Sequence, residues 1–153
     1  MKETMKLALM LHLLGAAIWV GGMFFAYMAL RPAAARLLDP PQRLPLWSAT
    51  LGLFFGWVWV CVVLVLGSGF YMISLIAELG RVPVYVYVML YTGVVMSLIF
   101  GYVFMQPFAA LKRAVAGQNW KEGAAALNQI RIAVAVNLSL GLANIVIATA
   151  GAL

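Results

Sequence analysis

Apolar residues form four long runs along this chain, and charged residues lie between these runs or near the ends. The charge-free runs cover residues 7–30, 44–77, 82–111 and 132–153 and are 24, 34, 30 and 22 residues long. A helix needs about 20 apolar residues to cross a bilayer, so each run allows one crossing. We therefore predict four transmembrane helices, at about residues 7–30, 48–76, 84–108 and 130–152.

The runs are apolar on every side of a helix, whereas the strands of a membrane barrel alternate with a period of two. This predicts an all-α integral membrane protein, an antiparallel four-transmembrane-helix bundle that forms one domain over residues 1–153. In the sequence 66% of residues are hydrophobic and 9% are charged, against about a quarter charged in a soluble domain. The first run is longer than the apolar region of a cleavable signal, so we expect it to remain as the first helix in the lipid bilayer.

The basic residues indicate how the bundle is oriented. The net charge of +6 lies in the connections rather than on a surface suited to nucleic acid, so no nucleic-acid partner is expected. Seven basic residues lie in the two connections on one side: Arg31, Arg36, Arg43, Lys112, Arg113, Lys121 and Arg131. Three lie on the other side: Lys2, Lys6 and Arg81. Because cytoplasmic loops carry the excess of Lys and Arg, we expect both termini outside the cytoplasm, which for a bacterial inner membrane is the periplasm.

The connections between the predicted helices are short. Residues 31–47 contain Asp39-Pro40-Pro41 and Pro45, which we expect to interrupt the helix, and Trp47 is expected at interfacial depth. Residues 77–84 predict a tight turn on the opposite side. The third helix is expected to continue past the membrane, to turn near residues 117–119 and to return as the fourth.

Small residues recur on one face of three predicted helices, and such faces let helices approach closely. We expect packing faces at Gly52, Gly56 and Gly67, at Gly93, Ser97 and Gly101, and along a stripe through Asn137, Gly141 and Asn144. A buried amide in lipid needs a partner, so both asparagines should point inward. Hydrogen bonding between helices is the favoured role of Asn137.

His12, the sole histidine, lies within the first apolar run. An ionisable group in a membrane span is a functional-site hypothesis; the alternative is a histidine that only hydrogen-bonds a neighbouring helix. Its face of the helix, at about 100° per residue, also carries Met5, Gly15 and Trp19. At about 1.5 Å per residue, its depth matches that of residues in the other three helices. With Trp19, these are the candidates to line one pocket: Ser68, Met89, Tyr91 and Asn144.

Imidazole and thioether groups suit copper(I) or haem iron. His12 with the outer-side residues Met5 and Met72 is the candidate copper set, and His12 with Met89 is the candidate pair of axial haem ligands. Methionine in an apolar helix is more often packing alone. One histidine and one cysteine, Cys61, are too few for a zinc site. The four acidic residues lie in ends or loops, so a catalytic triad cannot form around His12, and whether the protein is an enzyme stays open.

The segment LHLLGAAIWVGG at residues 11–22 resembles the opening helix of the CopD-type copper-resistance membrane domain. The segment Gly67-Ser68-Gly69 is similar too, as is a fourth helix that follows Arg131 and carries Asn137 and Gly141. The resemblance implies an inner-membrane protein that handles copper.

The HemJ-type protoporphyrinogen oxidases are more distantly similar in size, helix number and the His-to-Trp-Gly opening. That resemblance implies haem b held by a first-helix histidine, matched by His12, and by a third-helix lysine. The third span here contains no lysine, and a loose alignment places Tyr87 and Met89 at that point.

Three functions follow as alternatives. The first is copper binding, transport or tolerance through a site around His12. The second is a haem b protein for electron transfer or porphyrin oxidation, in which a haem shared by His12 of two chains would make a homodimer. The third is a non-catalytic bundle that supports a larger membrane complex.

Overall fold

Six α-helices and one π-helical turn make up almost all of the chain in this computed structural model, which describes residues 2–78 and 80–151. The helices are α1 (Lys2–Phe25), α2 (Arg31–Leu37), α3 (Pro40–Glu78), α4 (Val84–Met105), α5 (Pro107–Ala116) and α6 (Trp120–Gly151), with the π turn at Ala26–Leu30 between α1 and α2. They join into four units that are long and apolar enough to cross a membrane: Glu3–Leu37, Pro40–Glu78, Val84–Ala116 and Trp120–Gly151. The predicted fold class, an all-α four-helix membrane protein, is confirmed.

The expected break over residues 31–47 is confined to Leu38 and Asp39, which corrects the prediction. Pro40 and Pro41 lie in the first turn of α3, where backbone N–H groups have no acceptor within the helix, so these prolines start the helix instead of ending it. The carbonyl of Asp39 accepts hydrogen bonds from the backbone N–H groups of Gln42 and Arg43 at 3.0 and 2.8 Å. The Trp47 side chain is buried against neighbouring helices, and its interfacial depth stays a prediction.

The π turn at Ala26–Leu30 has a local cause in the sequence. Pro32 has no N–H to donate to the carbonyl four residues before it, and its ring crowds that carbonyl. The helix widens there, and the N–H of Arg31 bonds the carbonyl of Ala26, five residues back. The unit therefore continues through the proline as α2.

The four units form a ring in which each packs antiparallel against its neighbours, in the order α1, α3, α4 and α6. α5 continues the third unit and packs against the first part of α6. Aromatic rings fill the centre: Phe100 of α4 stacks edge-on against Trp19 of α1 at 6.3 Å and against Phe55 of α3 at 5.4 Å. Two ends follow from this arrangement. We call the end with both termini and residues 80–83 the terminal end, and the end with residues 38–39 and 117–119 the basic end.

The glycines that bring helices together include Gly141, as predicted, and Gly22, which was not among the predicted positions. A Cβ added at Gly22 would lie 2.3 Å from the Phe54 ring, and one added at Gly141 would lie 2.8 Å from Val20. Cβ atoms added at Gly56, Gly67 or Gly101 would meet no atom of the described chain within 4 Å. The predicted packing faces of spans two and three are therefore wrong at these positions, because spacing alone does not show which side of a helix faces a neighbour.

Both asparagines of α6 point inward, as predicted. Asn137 is buried, and its Nδ2 donates to the carbonyl of Met96 at 3.0 Å. Asn144 is half-buried, and its Nδ2 donates to the carbonyl of Met89 at 3.4 Å. The two bonds connect α6 to α4.

Candidate metal site near His12

Close packing of α1 on α3 positions His12. One turn after the histidine, Gly15 is buried, and a Cβ added there would lie 3.0 Å from Cγ2 of Val65 and 3.4 Å from the carbonyl oxygen of Cys61. The missing side chain lets the two backbones approach. As a result, the half-buried imidazole of His12 reaches the side of α3.

The imidazole is hydrogen-bonded to Ser68, with Nδ1 of His12 lying 3.1 Å from the serine Oγ. The serine hydroxyl has a single proton, and it donates this proton to the carbonyl of Leu64 one turn earlier in α3. Its oxygen therefore accepts from Nδ1–H of His12. This tautomer leaves Nε2 of the neutral ring with a free lone pair, the form in which histidine binds metals.

The ring lies beside the backbone of Gly69 in α3. A Cβ added at Gly69 would lie 3.4 Å from Cε1 of His12 and 3.7 Å from its Nδ1, an ordinary packing distance. An open groove between α1 and α3 ends at the same serine. Its lining residues are Thr4, Leu7, Ala8, Leu11, Val63, Leu64, Ser68 and Tyr71.

The two candidate thioether ligands lie on the same two helices. Met5 precedes His12 by seven residues, which places it on the same stripe of α1, and Met72 follows Ser68 by one turn of α3. Both side chains are half-buried. Their positions on these helices keep both methionines as candidate ligands. Among the contacts of the described residues, none joins either sulfur to the imidazole.

The other predicted site residues form a separate pair on α4 and α6. Asn144 bonds the carbonyl of Met89, but none of the hydrogen bonds between described residues links this pair to His12 or Ser68. The Tyr91 side chain is 74% exposed on the outer surface of α4, and Tyr91 is not among the lining residues of the groove or of the cavity described next. The structure therefore joins Ser68 to His12 by a hydrogen bond, whereas no hydrogen bond between described residues joins Met89, Tyr91 or Asn144 to either of them.

Trp19 lines a second cavity instead, toward the basic end. This cavity measures about 280 Å³, and its lining residues include Arg31, Arg43, Arg131 and Asn137. Nothing in the hydropathy pattern indicates it. The three arginines are far apart in sequence, and their positions beside connections suggested only the orientation of the bundle.

The candidate donors assigned to this site, one imidazole and two thioethers, are soft to borderline ligands. Across the described residues, 2–78 and 80–151, no group of three or more His, Cys, Asp or Glu side chains is placed to hold a metal ion. Hard divalent ions need such oxygen-rich sets, whereas imidazole with thioether suits copper(I).

Fold and site together define a class: a four-helix integral membrane protein with a single histidine held between its first two membrane helices. Residues 48–151, about two-thirds of the chain, match the family model of copper resistance protein D, and the chain belongs to this family. No curated protein and no solved structure matches the chain. The matched segment contains Ser68, Met72 and Asn144, whereas His12 lies before it, so the resemblance noted in α1 and the family match concern different parts of one bundle.

Proposed function

We propose that this protein binds copper(I) at the terminal end of the bundle, with Nε2 of His12 as the principal ligand, and that this site serves copper tolerance. The observation that carries the proposal is the hydrogen bond between Nδ1 of His12 and Ser68. Together with the bond from the Ser68 hydroxyl to the Leu64 carbonyl, it supports the tautomer in which Nε2 of the only imidazole in the chain has a free lone pair. The family is associated with copper resistance, which supports copper as the metal handled.

The available donors fit this metal. Copper(I) prefers soft ligands. The thioether of Met5 lies on the same face of α1 as His12, and that of Met72 lies one turn after Ser68 in α3. The acidic residues Glu3, Asp39, Glu78 and Glu122 lie at helix ends or connections rather than within the apolar spans. A site built this way favours a soft monovalent cation over magnesium, calcium or zinc.

The experiment is an anaerobic competition between the purified protein and a chromophoric copper(I) chelator. We expect wild-type protein to withdraw copper(I) from the chelator and His12→Ala to lose most of this ability. Met5→Leu and Met72→Leu should each weaken binding. Met10→Leu is the matched control, because Met10 lies on α1 with its side chain 57% exposed on the outer surface.

Circular dichroism and size-exclusion chromatography establish that each variant is folded. Retention of full copper affinity by folded His12→Ala would overturn the proposal. An absorption spectrum of the protein as purified distinguishes copper from haem. A haem Soret band that disappears in His12→Ala would assign the histidine to haem b instead. Wild-type protein that takes up neither copper nor haem would leave the supporting-bundle function.

A further inference from the structure

The cavity at the basic end has no role in the copper proposal and lies far from it. Arg31 at its mouth is 19 residues from His12 in the same helical unit, roughly 28 Å along the axis at about 1.5 Å per residue. The mouth of the cavity carries one arginine from each of three units: Arg31 of α2, Arg43 of α3 and Arg131 of α6. Farther in, the wall is apolar and largely aromatic, with Trp19, Trp47, Tyr27 and Phe55.

The arginines are not neutralised by the protein. The ion pair between described residues is Lys6 with Glu3, at the terminal end; no described carboxylate lies within ion-pair distance of Arg31, Arg43 or Arg131. Arg31 rests over the ring of Tyr27 at 5.0 Å, which keeps its donors available. Guanidinium groups that converge without acidic partners near a membrane surface bind carboxylates or phosphates.

A second observation at the inner part of the same cavity also indicates a ligand. Asn137 lines the cavity and is 4% exposed. Its Nδ2 is used by the Met96 carbonyl, and its Oδ1 has no hydrogen-bond partner among the described residues. A buried acceptor without a donor is costly. Asn137 follows Arg131 by six residues, about 9 Å along the helix. The unpaired Oδ1 of Asn137 and the positive charge of Arg131 therefore lie at different depths in the cavity.

The size of the cavity restricts the occupant. The cavity volume of about 280 Å³ lies just below the range of small-molecule sites, which begins near 300 Å³. This volume suits a single-chain molecule rather than a two-chain phospholipid. We propose that the cavity binds a single-chain amphipathic anion. Its carboxylate or phosphate lies among the three arginines, its apolar chain lies along the aromatic wall, and a hydroxyl or N–H at its inner end donates to Oδ1 of Asn137.

Three probes of matched length separate these parts of the ligand: 10-hydroxydecanoate, decanoate and 1,10-decanediol. Binding to wild-type protein in phosphatidylcholine nanodiscs is followed by tryptophan fluorescence, since Trp19 and Trp47 line the cavity. We expect 10-hydroxydecanoate to bind about three- to tenfold tighter than decanoate, because it supplies the donor. The diol should bind at least about tenfold more weakly, because it has no charge for the arginines. Inorganic phosphate should not displace the probe at millimolar concentration; full displacement would identify a site for free anions and overturn the proposal.

Variants connect these differences to particular residues. Arg43→Gln and Arg131→Gln should each weaken binding of both acids, whereas Arg113→Gln, an exposed arginine at the same end that does not line the cavity, should not. Asn137→Leu should abolish the advantage of 10-hydroxydecanoate over decanoate, and Asn144→Leu should retain it. If Asn137→Leu does not fold, the probe comparison on wild-type protein decides. Equal affinity for all three probes, or acid binding that ignores Arg43 and Arg131, would refute the proposal. Binding should persist in His12→Ala, which keeps this test independent of the copper site.

Discussion

The imidazole of His12 donates through Nδ1 to the hydroxyl of Ser68 across 3.1 Å, a bond that joins α1 to α3 over 56 positions of sequence. At this bond a polar side chain of the first span meets a polar side chain of the second. In a protein with a single histidine, this bond bears on which imidazole nitrogen keeps a free lone pair.

Replacement of Ser68 by alanine tests that relationship. Without the hydroxyl, Nδ1 loses its acceptor and the ring loses its fixed tautomer. Loss of such a partner to a ligating histidine typically lowers metal affinity about 10–100-fold. We expect Ser68→Ala to weaken copper(I) binding in the chelator competition by about tenfold. Ser74→Ala is the control, because Ser74 lies on the same helix, is exposed and bonds the carbonyl of Tyr71. Equal copper affinity in both variants would contradict the orienting role.

Adjacent glycines in α1 provide a test of the packing. A Cβ at Gly22 would lie 2.3 Å from the Phe54 ring, whereas a Cβ at Gly21 would meet nothing within 4 Å. We expect Gly22→Ala to destabilise the bundle by about 1–3 kcal/mol through overpacking. Gly21→Ala should be neutral or slightly stabilising. Denaturant unfolding in detergent micelles, followed by circular dichroism, measures both; equal midpoints would show that α1 and α3 are not packed as described.

An isosteric exchange at Asn137 tests the inner link between α6 and α4. In Asn137→Asp, an oxygen replaces the Nδ2 that lies 3.0 Å from the Met96 carbonyl oxygen. A donor becomes an acceptor in a buried place, so we expect a loss of about 2 kcal/mol or more in unfolding free energy. Asn144→Asp should cost less, because Asn144 is half-buried and its bond to Met89 measures 3.4 Å. The reverse order in the same unfolding assay would rule out this account.

The orientation of the bundle is open to a direct test with paired cysteines. In a Cys61→Ala background, Ala77→Cys reports the terminal end and Ala116→Cys the basic end; both alanines are exposed. From the excess of basic residues beside Ala116, we expect a membrane-impermeant maleimide to label only Ala77→Cys in intact spheroplasts. Both should react after the membrane is permeabilised. Selective labelling of Ala116→Cys in intact spheroplasts would invert the predicted topology.

The fold follows almost directly from the sequence because lipid imposes a simple requirement. Each backbone polar group must be bonded within its own segment, so four charge-free runs of at least 22 residues become four helices. The depth estimate also placed Ser68 level with His12, since the rise per residue is constant. The depth of a residue in the membrane does not show in which direction its side chain points. Met89 and Tyr91 lie at a matching depth, yet Tyr91 points outward and the backbone of Met89 bonds Asn144.

The cavity at the basic end escaped prediction for a related reason. Arg43 lines this cavity from the start of α3, which begins at Pro40, whereas Asp39-Pro40-Pro41 suggested an interruption there. Local chemistry at these positions is compatible with a first helical turn or with a break. Which of these forms depends on the packing of the neighbouring helices.

The π turn at Ala26–Leu30 fixes the length of the first unit. It takes up one residue more than an α-helical turn would, so deletion of a single residue here would restore a regular helix. Because the wide turn already absorbs the extra residue, the residues after the deletion would keep roughly their present direction relative to α1. Arg31 would stay beside the cavity, and His12 would keep its contact with Ser68. A deletion within the regular part of α1 would instead rotate everything after it by about 100°, so natural variants of this chain should tolerate a single-residue gap in the five-residue segment better than elsewhere in the first unit.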